Sequence, residues 1–108
     1  MEKKNIDWEN LGFGYVQTDK RYVSNYKDGA WDEGVLTEDA NVVINECAGV
    51  LQYAQTIFEG MKAYTTEDGR IVTFRPDLNA QRMADSARRL EMPVFPPICF
   101  SKVDDSNV

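Results

Sequence analysis

The chain has 108 residues, 43% of them hydrophobic and 28% charged, a balance that fits one folded unit and excludes a second domain of ordinary size. Its formal charge of -6 is spread as short acidic pairs, Asp32-Glu33, Glu38-Asp39, Glu67-Asp68 and Asp104-Asp105, so it offers no basic face to nucleic-acid phosphates. It contains no histidine, which removes Ser-His-Asp and Cys-His catalysis and the commoner zinc sites; no metal site is expected.

No stretch approaches the roughly 18 apolar residues of a membrane span, so no membrane partner is expected. Met1-Glu2-Lys3-Lys4 is not followed by the apolar run of a secretory signal. A cytoplasmic protein is expected. Cys47 and Cys99 stand in unrelated contexts without a CxxC spacing and are expected as free, partly buried thiols.

Residues 1–10 read as a polar arm carrying Trp8, and Gly12-Phe13-Gly14 as a turn. Gly14 to Asp19 and Arg21 to Lys27 have the aromatic content of strands. Lys27-Asp28-Gly29 turns the chain into a further strand from Ala30 to Leu36. Val42-Val43-Ile44 is a short β-branched run expected as a buried strand. Between Glu46 and Gln55 no period is clean, and a short helical turn with a loop is expected.

The strongest local pattern runs from Thr56 to Arg75, where two β-favouring runs flank Glu67-Asp68-Gly69, a β-hairpin whose glycine can adopt positive φ. On its first strand Ile57, Glu59, Met61 and Ala63 alternate with Phe58, Gly60, Lys62 and Tyr64. Both faces are mixed, so both are expected to be partly covered. Gly60 permits close approach of a packed neighbour or of a ligand.

Arg75-Pro76-Asp77 then opens a helix over about 77–90, because proline suits the first turn and aspartate favours the positive end of the helix dipole. Ala80, Met83, Ala84, Ala87 and Leu90 form its apolar stripe. Leu78, Arg82, Asp85 and Arg89 lie opposite, and Pro93 bounds the helix. By spacing alone Arg82 reads as an exposed residue pairing with Asp85 at i+3. The fold class expected is α+β, with a mainly antiparallel sheet, the hairpin at about 56–75 and this helix.

Leu51-Gln52-Tyr53-Ala54-Gln55-Thr56-Ile57-Phe58-Glu59-Gly60-Met61-Lys62-Ala63-Tyr64 resembles the L-x-Y-x-x-x-x-F-E-G-x-K-A strand of branched-chain amino acid aminotransferases. Phe74-Arg75-Pro76-Asp77-Leu78-Asn79-Ala80-Gln81-Arg82-Met83 is similar to the F-R-P-x-x-N-x-x-R-M helix start of the same family. The likeness covers roughly residues 8–93 and is most specific over 51–93.

The resemblance implies the small domain of a fold-type-IV enzyme over residues 11–93, pyridoxal 5'-phosphate as cofactor, branched-chain amino acids and 2-oxo acids as substrates, a large domain and a homodimer. It implies a phosphate-binding role for Arg82 and a substrate pocket walled by Tyr53, Phe58 and Phe13. Aromatic walls suit Leu, Ile and Val, which offer only methyl and methylene groups for burial. Plain core packing would account for the same aromatic residues.

The family's cofactor-binding lysine lies in the large domain, and Lys62 matches a basic position that does not hold the cofactor. The resemblance therefore assigns no catalytic residue to this chain, which is expected to be catalytically incomplete alone. Two other readings accompany it. One is a non-catalytic α+β module that docks on an aminotransferase subunit; the other is a relative of D-amino acid transaminases or aminodeoxychorismate lyases. After Pro93 the likeness fails, and residues 94–108 read as a divergent or truncated tail, which a truncated gene, a frameshifted gene or a gene-model artefact would each explain.

Overall fold

The computed structural model describes residues 5–97. Cys99, the first residues of the expected arm and most of the expected tail lie outside them. The observed order is β1 (Arg21–Val23), β2 (Tyr26–Lys27), β3 (Ala30–Trp31), β4 (Val35–Thr37), α1 (Gly49–Tyr53), β5 (Ala63–Thr65), β6 (Ile71–Thr73) and α2 (Pro76–Arg89). All pairing is antiparallel, with β1 on β4, β2 on β3 and β5 on β6, so the α+β expectation holds.

The first four strands form one nested hairpin with a fault in its middle. At its tip Asp28 (φ 52°) and Gly29 (φ 83°) are both left-handed, the two-residue geometry whose twist matches that of the flanking strands. Tyr26 pairs with Trp31, but Val23 pairs with Val35, so Ser24 and Asn25 oppose Asp32, Glu33 and Gly34. One extra residue makes this a bulge. The Asp32 carboxylate holds it, accepting the amide hydrogens of Asn25 at 3.0 Å and Gly34 at 2.9 Å and the Ser24 hydroxyl at 3.1 Å.

Gly34 is left-handed (φ 72°), and a Cβ there would overlap the Tyr22 ring. The Tyr22 hydroxyl donates to the Glu33 carbonyl beside it. The expected continuous strand from Arg21 to Lys27 is therefore divided at Ser24-Asn25. Beyond β4, the Arg21 guanidinium donates to the carbonyls of Asp39 and Asn41 and pins that loop to the hairpin base.

Two expected strands are not formed. Gly14 to Asp19 and Val42 to Ile44 carry no ladder, and Tyr15, Val16, Val42, Val43 and Ile44 are all exposed. A β-branched or aromatic run is stabilised chiefly by cross-strand and face packing, and these runs meet no partner strand among the described residues. Cys47, expected partly buried, is a free and exposed thiol.

The hairpin after α1 is shorter than its sequence pattern. Thr66 N–H donates to the Arg70 carbonyl at 2.8 Å, Gly69 N–H to the Thr66 carbonyl at 2.9 Å, and Gly69 takes φ 84°, a three-residue loop closed by a left-handed glycine. Pairing covers only Ala63–Thr65 and Ile71–Thr73. Residues 56–62 run without a strand partner, and α2 satisfies part of their backbone: the Asn79 side-chain amide donates to the Gly60 carbonyl at 2.8 Å.

Helix α2 begins with Pro76 at its first turn and Asp77 beside it, and Arg88 and Arg89 complement its C-terminal end. It closes without glycine. Met92 N–H reaches the Ala87 carbonyl at 2.8 Å, Glu91 N–H reaches the Arg88 carbonyl at 3.1 Å, and Glu91 is left-handed at φ 54°. These are the paired bonds of a Schellman motif. Ala80, Ala84 and Ala87 are the buried hydrophobic residues among those described; Met83 is half-buried and Leu90 is exposed, so the stripe buries its small members.

Trp31 and Gln55 also join distant segments. The Trp31 indole N–H donates to the Val94 carbonyl at 2.9 Å, and its ring meets Phe95 edge-on at 5.1 Å. The Gln55 amide donates to the Leu90 carbonyl at 2.9 Å, tying the exit of α1 to the end of α2.

Candidate functional site

An open cleft of about 530 Å³ lies between Thr56-Ile57-Phe58 and the outer face of α2. Arg82, Ser86 and Arg89 line it, and their spacing of four and then three residues stacks them along one helix face. Two arginines and a serine thus line one wall, with Asp85 beside them, and Phe58 lines the facing segment. Such a donor set suits an oxyanion with several acceptor oxygens.

The unpaired segment 56–62 keeps its alternation. Ile57, Glu59 and Met61 are half-buried, whereas Phe58, Gly60, Lys62 and Tyr64 are exposed. The expectation that both faces are covered is thus met on one side only. A Cβ on Gly60 would meet nothing within 4 Å, so the space its missing side chain leaves is open, and the close neighbour, Asn79, meets its carbonyl instead.

Glu59 is the member of this segment that sequence reasoning missed. Its side chain is only 7% exposed, against 66% for Arg82. The Arg82 Nε donates to Glu59 Oε2 at 2.8 Å and Nη2 donates to Oε1, making a two-bond fork. Asn79, one turn before Arg82, donates to Glu59 Oε1 at 2.8 Å as well as to the Gly60 carbonyl.

The Arg82 hydrogen bond, supported by that of Asn79 and opposed by burial, holds the Glu59 carboxyl below its ordinary value. The same pair pushes the Arg82 guanidinium up. The i+3 pairing of Arg82 with Asp85 is not formed: Asp85 accepts from Arg88 at 3.0 Å and from Gln81 at 3.2 Å. A carboxylate between Ile57 and Met61 on an otherwise apolar face was the signal available in the sequence for Glu59.

Of the residues implied by resemblance, Arg82 and Phe58 share the cleft. Tyr53 ends α1 and Phe13 lies in the N-terminal loop; both are exposed, and neither lines the cleft. Lys62 is exposed and outside it.

No family model matches the chain. Among curated proteins it is 50% identical over 97 residues to a branched-chain-amino-acid aminotransferase of Haemophilus influenzae, covering 90% of this chain and 28% of that protein. It is 44% identical over 99 residues to the protein of that name from Helicobacter pylori, covering 92% of this chain and 29% of the relative. A methionine aminotransferase of Arabidopsis thaliana is 49% identical over 90 residues, covering 82% and 25%. The chain thus spans under a third of the length of these relatives.

Proposed function

We infer that this chain, a relative of the branched-chain-amino-acid aminotransferases over about nine-tenths of its length, supplies the phosphate-anchoring wall and part of the substrate pocket of such an aminotransferase. The observation that carries this reading is that Arg82, Ser86 and Arg89 line one cleft that Phe58 also lines. The donor set fits the phosphate of pyridoxal 5'-phosphate. Arg82 remains charged at any working pH, and a forked guanidinium matches phosphate oxygens better than an ammonium does. When bound, that group supplies an electron sink for the electrons released at the substrate α-carbon.

The work left to this chain's residues is binding and orientation. Arg82 fixes the phosphate, with the Ser86 hydroxyl and Arg89 as further donors. Phe58, Tyr53 and Phe13 supply apolar surface for an aliphatic side chain. The amino acids proposed are Leu, Ile and Val, with a 2-oxo acid as the acceptor. The similarity to a methionine aminotransferase favours adding methionine to the assay, because an aromatic wall accepts a thioether as readily as a branched chain.

A large domain, a second copy and a cytoplasmic location belong to the same proposal. No helix among the described residues is long and apolar enough to cross a membrane, and some relatives carry organellar names, including a mitochondrial one.

The test compares pyridoxal 5'-phosphate with pyridoxal. The chain is expected to bind the phosphorylated form more tightly, and Arg82→Gln is expected to shrink the difference while leaving pyridoxal binding unchanged. Equal affinity for the two in the wild-type chain, by equilibrium dialysis, would sink the phosphate reading.

A further inference from the structure

We propose that Glu59 is a positioning residue for anion binding: it occupies the Nε edge of the Arg82 guanidinium and thereby presents the remaining edge to an oxyanion in the cleft. The inference rests on the phosphate reading of Arg82. An arginine offers its donors on distinct edges, and the fork from Nε and Nη2 to the Glu59 carboxylate uses one of them. The Nη1 hydrogens and the outer Nη2 hydrogen stay available on a side chain that lines the cleft and is 66% exposed.

The support for Glu59 is itself fixed. Its side chain is 7% exposed, and the Asn79 amide holds both its Oε1 and the next carbonyl in the chain, each at 2.8 Å. Asn79 and Arg82 sit one turn apart on α2, so one helical turn grips residues 59 and 60 and sets the direction of the guanidinium. Without that grip, an arginine this exposed would sample its rotamers freely. Ordering it would then oppose every binding event.

Positioning and charge act in opposite directions at Glu59. A carboxylate beside an anion site repels the anion, so removing it should tighten binding on charge grounds alone. If Glu59 positions Arg82, removing its charge weakens binding instead. Inorganic phosphate is titrated at constant ionic strength into the whole chain and into its variants, with the Arg82 Nε–Hε and Ser86 amide resonances followed by NMR.

Glu59→Gln is expected to weaken phosphate by about tenfold, the scale on which residues that orient a ligating group act, and to move the Arg82 Nε–Hε resonance in the free protein. Asn79→Leu, which removes the clamp and no charge, is expected to weaken phosphate in the same direction by less. It serves if Glu59→Gln does not fold, folding being judged from the near-ultraviolet signal of Trp31. Phosphate binding in Glu59→Gln equal to or tighter than wild type overturns the positioning role, and the phosphate reading survives if Arg82→Lys still weakens binding. An Arg82→Lys variant that binds phosphate as wild type does overturns both.

Discussion

At the scale of single residues, the first hairpin depends on side chains that cannot be exchanged without moving backbone. Gly34 is left-handed and its missing Cβ is filled by the Tyr22 ring. Gly34→Ala therefore meets both conformational strain and a clash, and is expected to cost about 2 kcal/mol, measured as a fall in the urea midpoint. Gly29→Ala separates the two effects, since Gly29 is left-handed over open space; its cost should be the smaller. The turn residues were legible because Asp28-Gly29 and Gly69 can hardly serve another purpose. Gly34 was not, because its closeness to Tyr22 depends on a bulge that no local pattern announces. Glu59 escaped for a related reason: alternation assigned it a face, but only the tertiary position of Arg82 gives that face a charge to meet.

At the scale of elements, α2 was legible almost throughout, since proline, aspartate and the alanine spacing agree on one helix, and it spans Pro76–Arg89 against an expected 77–90. Its end was read from Pro93, whereas the backbone turns at Glu91, which carries a left-handed φ without being glycine. Glu91→Gly removes the steric cost of that conformation and is expected to stabilise the chain by about 0.5–1 kcal/mol, net of the added freedom of the unfolded chain. Differential scanning calorimetry checks it; a lower melting temperature would mean that the glutamate side chain contributes more than the strain costs. The short strands were less legible, because Val42-Val43-Ile44 has strand composition but no ladder.

The contact between α2 and residues 59–60 also titrates. Glu59, paired with Arg82, and Asp77, paired with Arg75 at the head of the helix, both have carboxyl groups held below their ordinary values. A carboxyl depressed by folding contributes stability that is present above its unfolded value and is lost as pH falls through its folded value. The chain should therefore be most stable towards neutrality and weaken on acidification from the ordinary carboxylate range downward. Glu59→Gln should flatten part of that dependence. Urea midpoints measured from neutral to strongly acidic pH test this, and an identical pH profile in the variant would show that the Glu59 carboxylate is not differentially stabilised by folding.

At the scale of the whole molecule, the balance between apolar surface and cover decides behaviour in solution. The buried hydrophobic residues described are alanines, which contribute little apolar area, while Phe13, Val43, Tyr53, Phe58 and Phe74 are all more than four-fifths exposed. Burying one such phenylalanine is worth roughly 1.5–3 kcal/mol, so covering several of them by association is favourable. The chain is expected to bind a hydrophobic dye at neutral pH and to associate as its concentration rises, with association strengthened by sulfate, which favours burial of apolar surface. Phe58→Ser, placed on the cleft rim away from the Glu59 side of its segment, should reduce both effects without lowering thermal stability. Sedimentation velocity across a wide concentration range distinguishes the outcomes: a single non-associating species that binds no dye would mean that these side chains find cover within the chain itself.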